Sequence, residues 1–142
     1  MLVQVAKGAL ACNGFGGCQN IMPALGLNFD QVARVIDQTA NGNLATATGE
    51  LWLEEFFAGV EKRMLSLYNG ARLEGRRIYD GERAAAHWAE QRHRFEGIYF
   101  RLLEAESKVS QNKLPEIRAL ESAIKTAAEI VQACRGSHEL FI

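Results

Sequence analysis

The chain has 142 residues, 48% of them apolar and 23% charged, and carries a formal net charge of −1 at pH 7. That length suits one domain, which would bury roughly two-thirds of its unfolded surface, and the apolar and charged fractions exclude disorder. No apolar run reaches the length of about eighteen residues that a transmembrane helix requires, and a charge so close to zero gives no overall field to gather nucleic acid or an anionic membrane.

Seven of the thirteen glycines fall in the first fifty residues, so residues 1–28 read as an irregular, glycine-rich segment. The run Gly14, Phe15, Gly16, Gly17 is too flexible for a helix interior. No Lys-Ser or Lys-Thr follows it, so the spacing of a phosphate-binding P-loop fails. Met1 to Cys12 is apolar, but Lys7 sits mid-segment and no cleavage site follows, unlike a signal peptide. Cys12 and Cys18 are too widely separated for a Cys-x-x-Cys knuckle. Together with Cys134 they make an odd number, which predicts reduced thiols and a cytoplasmic location, or one inside an assembled particle.

Two helices are expected over residues 29–69. Asn28 is an N-cap candidate before Phe29, Val32, Ala33 and Ile36, and Ala40, Asn41, Gly42 and Asn43 should stop this first helix. Thr46 or Thr48 can cap the second, with Glu50 in its first turn where the macrodipole favours a carboxylate. Leu53, Phe56, Val60, Met64 and Leu67 give it a core-facing stripe, and Asn69-Gly70 is a plausible C-cap. Residues 70–81 stay open between a loop and a weak stretch of helix, because glycines at 75 and 81 would each cost about 1 kcal/mol inside one.

Residues 82–135 predict a long antiparallel helical hairpin. Trp88, Phe95, Leu102 and Val109 recur every seven residues with Ile98 and Ala105 between them, a coiled-coil-like seam. The connection is written as Gln111 to Leu114, with Pro115 suited to the first turn of the last helix. Ile117, Leu120, Ile124, Ala127, Val131 and Cys134 then form one continuous stripe. Glu121 and Lys125 have the acid-before-base spacing of four that supports a helix, and Gly136 is the expected stop. Residues 136–142 end in an apolar tail, Leu140, Phe141 and Ile142, that is unfavourable to leave in water.

Residues that could carry chemistry are sparse. Glu90 and His93 reproduce the Glu-x-x-His spacing of di-iron bundles, which need that motif twice plus two further glutamates. It occurs here once, with Glu54, Glu55 and Glu61 as the available carboxylates, so neither a metal nor another cofactor is expected. Arg72, Arg76, Arg77 and Arg83, continuing to Arg92, Arg94 and Arg101, suit phosphate recognition. Glu74, Asp80, Glu82, Glu90 and Glu96 are interleaved with them, which favours ion pairs on an exposed helix or between subunits.

The expected fold is therefore an all-α helical bundle in a single domain. The expected function is that of a non-enzymatic structural or assembly subunit working by helix packing in a larger complex, such as a phage particle or similar multiprotein machine, and forming a homo-oligomer or joining other protein subunits. Its interface anchors would be Trp88, Phe95, Leu102, Leu140, Phe141 and Ile142, although the first three would fill the chain's own core equally well. The alternatives are a nucleic-acid-associated helical protein using Arg72, Arg76, Arg77 and Arg83, and a metal-dependent helical enzyme using Glu90 and His93.

Overall fold

A computed structural model describes residues 26–43 and 50–142. The glycine run at 14–17, Cys12, Cys18 and the cap candidates Thr46 and Thr48 lie outside them. The described residues form four α-helices and no strand: α1 (Phe29–Gln38), α2 (Glu50–Gly75), α3 (Gly81–Gln111) and α4 (Arg118–Glu139). No helix among them is long and apolar enough to cross a membrane.

Helix α1 starts where the sequence places it. The Asn28 side chain accepts from the Gln31 backbone N–H and the Gln31 side chain accepts from that of Asn28, both at 2.9 Å, closing a capping box. Its end differs. The expected stop at 40–43 is a π-helical turn, Thr39–Asn43, because Thr39 and Ala40 are buried and hold the backbone against the core. Val32 and Ile36 are fully buried, and the Phe29 ring meets Phe95 of α3 edge to face at 4.8 Å.

Helix α2 runs past Asn69-Gly70 to Gly75. Gly70 does not adopt the positive φ of a C-cap, and the next residue, Ala71, is buried. His87 Nε2 of α3 lies 3.0 Å from the Ala71 carbonyl and donates to it in the Nε2-protonated tautomer. Packing on α3 thus carries the helix through a glycine whose propensity cost is only about 1 kcal/mol. The chain turns at 76–80, and the Asp80 carboxylate caps α3 by accepting from the N–H groups of Glu82 at 2.8 Å and Arg83 at 3.2 Å.

The hairpin of α3 and α4 is present as the seam predicts. Trp88, Phe95, Ile98, Leu102, Ala105 and Val109 are all buried, facing Leu120, Ala123, Ala127, Ile130, Val131 and Cys134 of α4 or the other helices. The seam also buries Gln91, a polar residue in an otherwise apolar register. Helix α3 ends in a Schellman motif: the Leu114 N–H bonds to the Val109 carbonyl and the Lys113 N–H to that of Ser110, both at 3.1 Å. Lys113 occupies the left-handed position usually given to glycine, with φ +55°.

Helix α4 begins at Arg118, with Ile117 as an N-cap that offers no side-chain hydrogen bond. Pro115 therefore precedes the helix instead of occupying its first turn. Two interactions fix the start: the buried Ile117 side chain, and the Glu54 carboxylate of α2, which accepts from the Ala119 N–H at 2.6 Å. A turn further along, Glu61 accepts from the hydroxyls of Ser122 at 2.9 Å and Thr126 at 2.6 Å. These contacts make α2 and α4 parallel, with α3 antiparallel to both. At the far end α4 passes through Gly136 to Glu139, since Gly136 keeps a helical backbone and the half-buried Ser137 and His138 follow.

Candidate assembly surfaces

The predicted interface anchors separate into two groups. Trp88, Phe95 and Leu102 are enclosed by the chain's own helices, with relative exposures of 7%, 0% and 0%. Trp88 packs over the end of α2, and a Cβ on Gly75 would stand 2.9 Å from its ring carbon Cζ2. These three side chains hold the bundle together. Leu140, Phe141 and Ile142 are instead exposed, by 80%, 43% and 79%, and project from the end of α4.

Because α2 and α4 are parallel, this tail stands at the same end of the bundle as the α2–α3 turn. Burial raises the Tyr68 pKa near this end, helped by the charge of Cys134 when ionised and partly offset by Arg72. Beyond them lie the exposed side chains of Leu73 and Tyr79. Arg72, Arg76, Arg77 and Arg83 occupy this same end, all exposed. None of the four forms an ion pair with a described carboxylate; the pairs that do form are Arg94–Glu90 within α3 at 2.6 Å and Arg101–Asp37 between α3 and α1 at 3.0 Å. One end of the molecule is therefore both apolar and arginine-bearing, with Glu74, Asp80, Glu82 and Glu139 among its neighbours in sequence.

The opposite end has a different character. A groove of about 420 Å³ opens at the α3–α4 connection, walled by Leu103 and Leu114 and rimmed by Glu106, Glu116 and Glu121 with no basic side chain in its lining. Glu121 makes no ion pair with Lys125. It lies beside Glu116 instead, because the Schellman turn folds the start of α4 back towards Glu106. A hydrogen bond shared with Glu116 holds the Glu121 carboxyl above its ordinary range, reinforced by desolvation and by the charges of Glu116 and Glu106 and offset in part by Arg118. Sequence reasoning missed this groove. Its only signal was a set of glutamates on both flanks of the predicted turn.

A second cleft of about 440 Å³ lies between α1 and α3. Arg101 closes part of it by donating to Asp37 and to the Gly97 carbonyl at 3.1 Å, and the Arg94 guanidinium sits 5.3 Å from the centre of the Phe29 ring. The Arg101–Asp37 pair spans it and fastens α1 to α3.

Glu90 of the Glu-x-x-His pair is engaged with Arg94, and His93 is exposed on the same helix. No group of three His, Cys, Asp or Glu side chains among the described residues stands where it could hold a metal ion. Of the other candidate ligands, Glu54 and Glu61 are used to fasten α4 to α2, and Glu55 is exposed on α2. Burial pushes the Cys134 thiol up to about 12, so it is protonated at ordinary pH and behaves as a small hydrophobe. No protein-family model, no curated protein and no solved structure matches this chain.

Proposed function

We propose that the chain is a non-enzymatic structural or assembly subunit that works through protein–protein packing within a larger complex, such as a phage particle or similar multiprotein machine. The observation that carries this reading is the exposed apolar tail, Leu140, Phe141 and Ile142, standing with Leu73 and Tyr79 at one end of a bundle whose own core is already closed. Consecutive large apolar side chains left in water, as at 140–142, mark candidate contact sites. Covering three large side chains would contribute roughly 1.5–3 kcal/mol each.

Light scattering across a concentration series, with and without residues 140–142, tests the proposal. The full chain is expected to self-associate or to bind its partner subunits. The truncated chain should do so more weakly, on the order of a thousandfold or more, with unchanged helicity. Equal association of both chains would count against it.

A second reading is favoured by Arg72, Arg76, Arg77 and Arg83, which are exposed and without described carboxylate partners at one end of the bundle. If the chain accompanies nucleic acid, it should bind a labelled duplex with an affinity that falls steeply as salt is added, and replacing the four arginines should reduce that salt slope. Absence of salt-sensitive binding removes this reading.

A further inference from the structure

We propose that copies of this chain associate head to tail, with the α2–α3 turn of one copy, bearing Arg76, Arg77 and Tyr79, entering the acidic groove at the α3–α4 connection of the next. This rests on the assembly reading and names its partner as a second copy.

The molecule presents both halves of such a contact. Tyr79 is 96% exposed at the tip of the turn, and the backbone that presents it is fixed: the Arg77 N–H bonds to the Glu74 carbonyl and the Ile78 N–H to that of Gly75, while Asp80 is held by capping α3. The turn is thus a preformed knob, and little order need be gained on docking. Arg76 and Arg77 flank it, exposed and without described ion-pair partners.

The groove offers the complement. Glu106, Glu116 and Glu121 rim it with no base among its lining residues; Arg118 beside Glu121 offsets their mutual repulsion only in part, and a guanidinium group placed between them would relieve the rest. Arginine suits this better than lysine because its planar fork can donate to two carboxylates at once. Leu103 and Leu114 provide an apolar wall for the tyrosine ring.

Geometry sets the type of assembly. Turn and groove stand at opposite ends of α3, whose 31 residues span about 45 Å. One copy cannot satisfy its own groove, and when the turn enters end to end, along the bundle axis, each pair of copies leaves one turn and one groove unfilled at its outer ends. Such a contact is heterologous, so it propagates into a ring or an open filament.

Two variants test this by sedimentation velocity at low salt: Arg76→Glu with Arg77→Glu, which reverses the turn, and Glu116→Lys with Glu121→Lys, which reverses the rim. All four positions are exposed, so helicity and thermal midpoint should hold. The wild-type chain is expected to grow in mass with concentration beyond a dimer. Each variant alone should associate about tenfold or more weakly, and mixing the two should restore association, because the acidic turn then faces the basic rim. Added salt should weaken the wild-type assembly.

A wild-type chain that stays monomeric, a closed two-fold dimer, or a mixture that remains dissociated while the wild type assembles would each overturn the proposal. Assembly that survives both reversals but is lost on deleting residues 140–142 would overturn the head-to-tail contact and leave the assembly reading standing on the tail. Salt-sensitive assembly that needs an added duplex would overturn both in favour of nucleic acid.

Discussion

Phe95→Ala is expected to lower the unfolding free energy by about 3–5 kcal/mol, a large part of the roughly 5–15 kcal/mol that keeps a domain folded. Phe95 is fully buried and is the point where three helices meet. Its ring receives the edge of Phe29 from α1 at 4.8 Å and lies 6.3 Å from Tyr68 of α2, while its own helix supplies the seam to α4. Truncation to alanine removes the transfer free energy of the ring and leaves a cavity that three helices cannot all close upon. Urea denaturation followed by helical ellipticity measures it: the midpoint should fall with the slope unchanged, as for a loss of native stability alone. Phe100→Ala, on the same helix but 60% exposed, is the control and should stay within about 0.5 kcal/mol. A loss at Phe95 as small as that of the control would mean that its ring is not closely packed among the three helices.

Phe95 also shows what the sequence makes legible. A helix repeats its faces every 3.6 residues, so the seven-residue recurrence of Trp88, Phe95, Leu102 and Val109 can be read directly, and with it the hairpin. The same recurrence says nothing about who covers the seam. A coiled-coil face buried by a sister helix and one buried by a second chain have the same pattern, which is why these residues served equally as core or interface. The tail is easier, since Leu140, Phe141 and Ile142 follow the last turn of α4 and have no neighbouring helical face to complete. Gln91 was not legible at all, because its burial follows from its register on the seam and not from its polarity.

Element ends were harder to read for one shared reason: in this fold they are set by distant residues. The start of α4 depends on a carboxylate 65 positions earlier, Glu54, taking the Ala119 N–H. The continuation of α2 depends on Ala71 packing and on His87 from the next helix. Sequence alone makes Glu54 and Glu61 metal-ligand candidates, because it records carboxylates and not what they touch. The acidic groove was hidden in the same way. Glu106 and Glu121 belong to different helices, and only the left-handed Lys113 turn brings them to one rim.

Two glycines in α2 should answer the same substitution with opposite signs. Gly70 is exposed, has a helical backbone, and has nothing within 4 Å of where a Cβ would sit. Gly70→Ala should therefore stabilise the protein by about 0.5–1 kcal/mol, by reducing the freedom of the unfolded chain and supplying a better helix former. At Gly75, five residues on, the propensity argument gives the same sign but the packing does not allow it. A Cβ there would stand 2.9 Å from Trp88 Cζ2 and 3.2 Å from Nε1. The tryptophan cannot swing aside freely, because the His87 ring meets it edge-on at 4.9 Å and Tyr68 stands on another side at 6.5 Å. Gly75 is moreover the last residue of α2, where propensity counts least. Overpacking wins, and Gly75→Ala should cost about 1–3 kcal/mol, with the end of α2 displaced outward and the Arg76–Tyr79 turn moving with it. Paired denaturation curves and the fluorescence of Trp88, with Trp52 replaced, read both effects. If Gly75→Ala proves as stabilising as Gly70→Ala, the Trp88 ring has room to yield, and the close approach of α2 to α3 is not what fixes the turn between them.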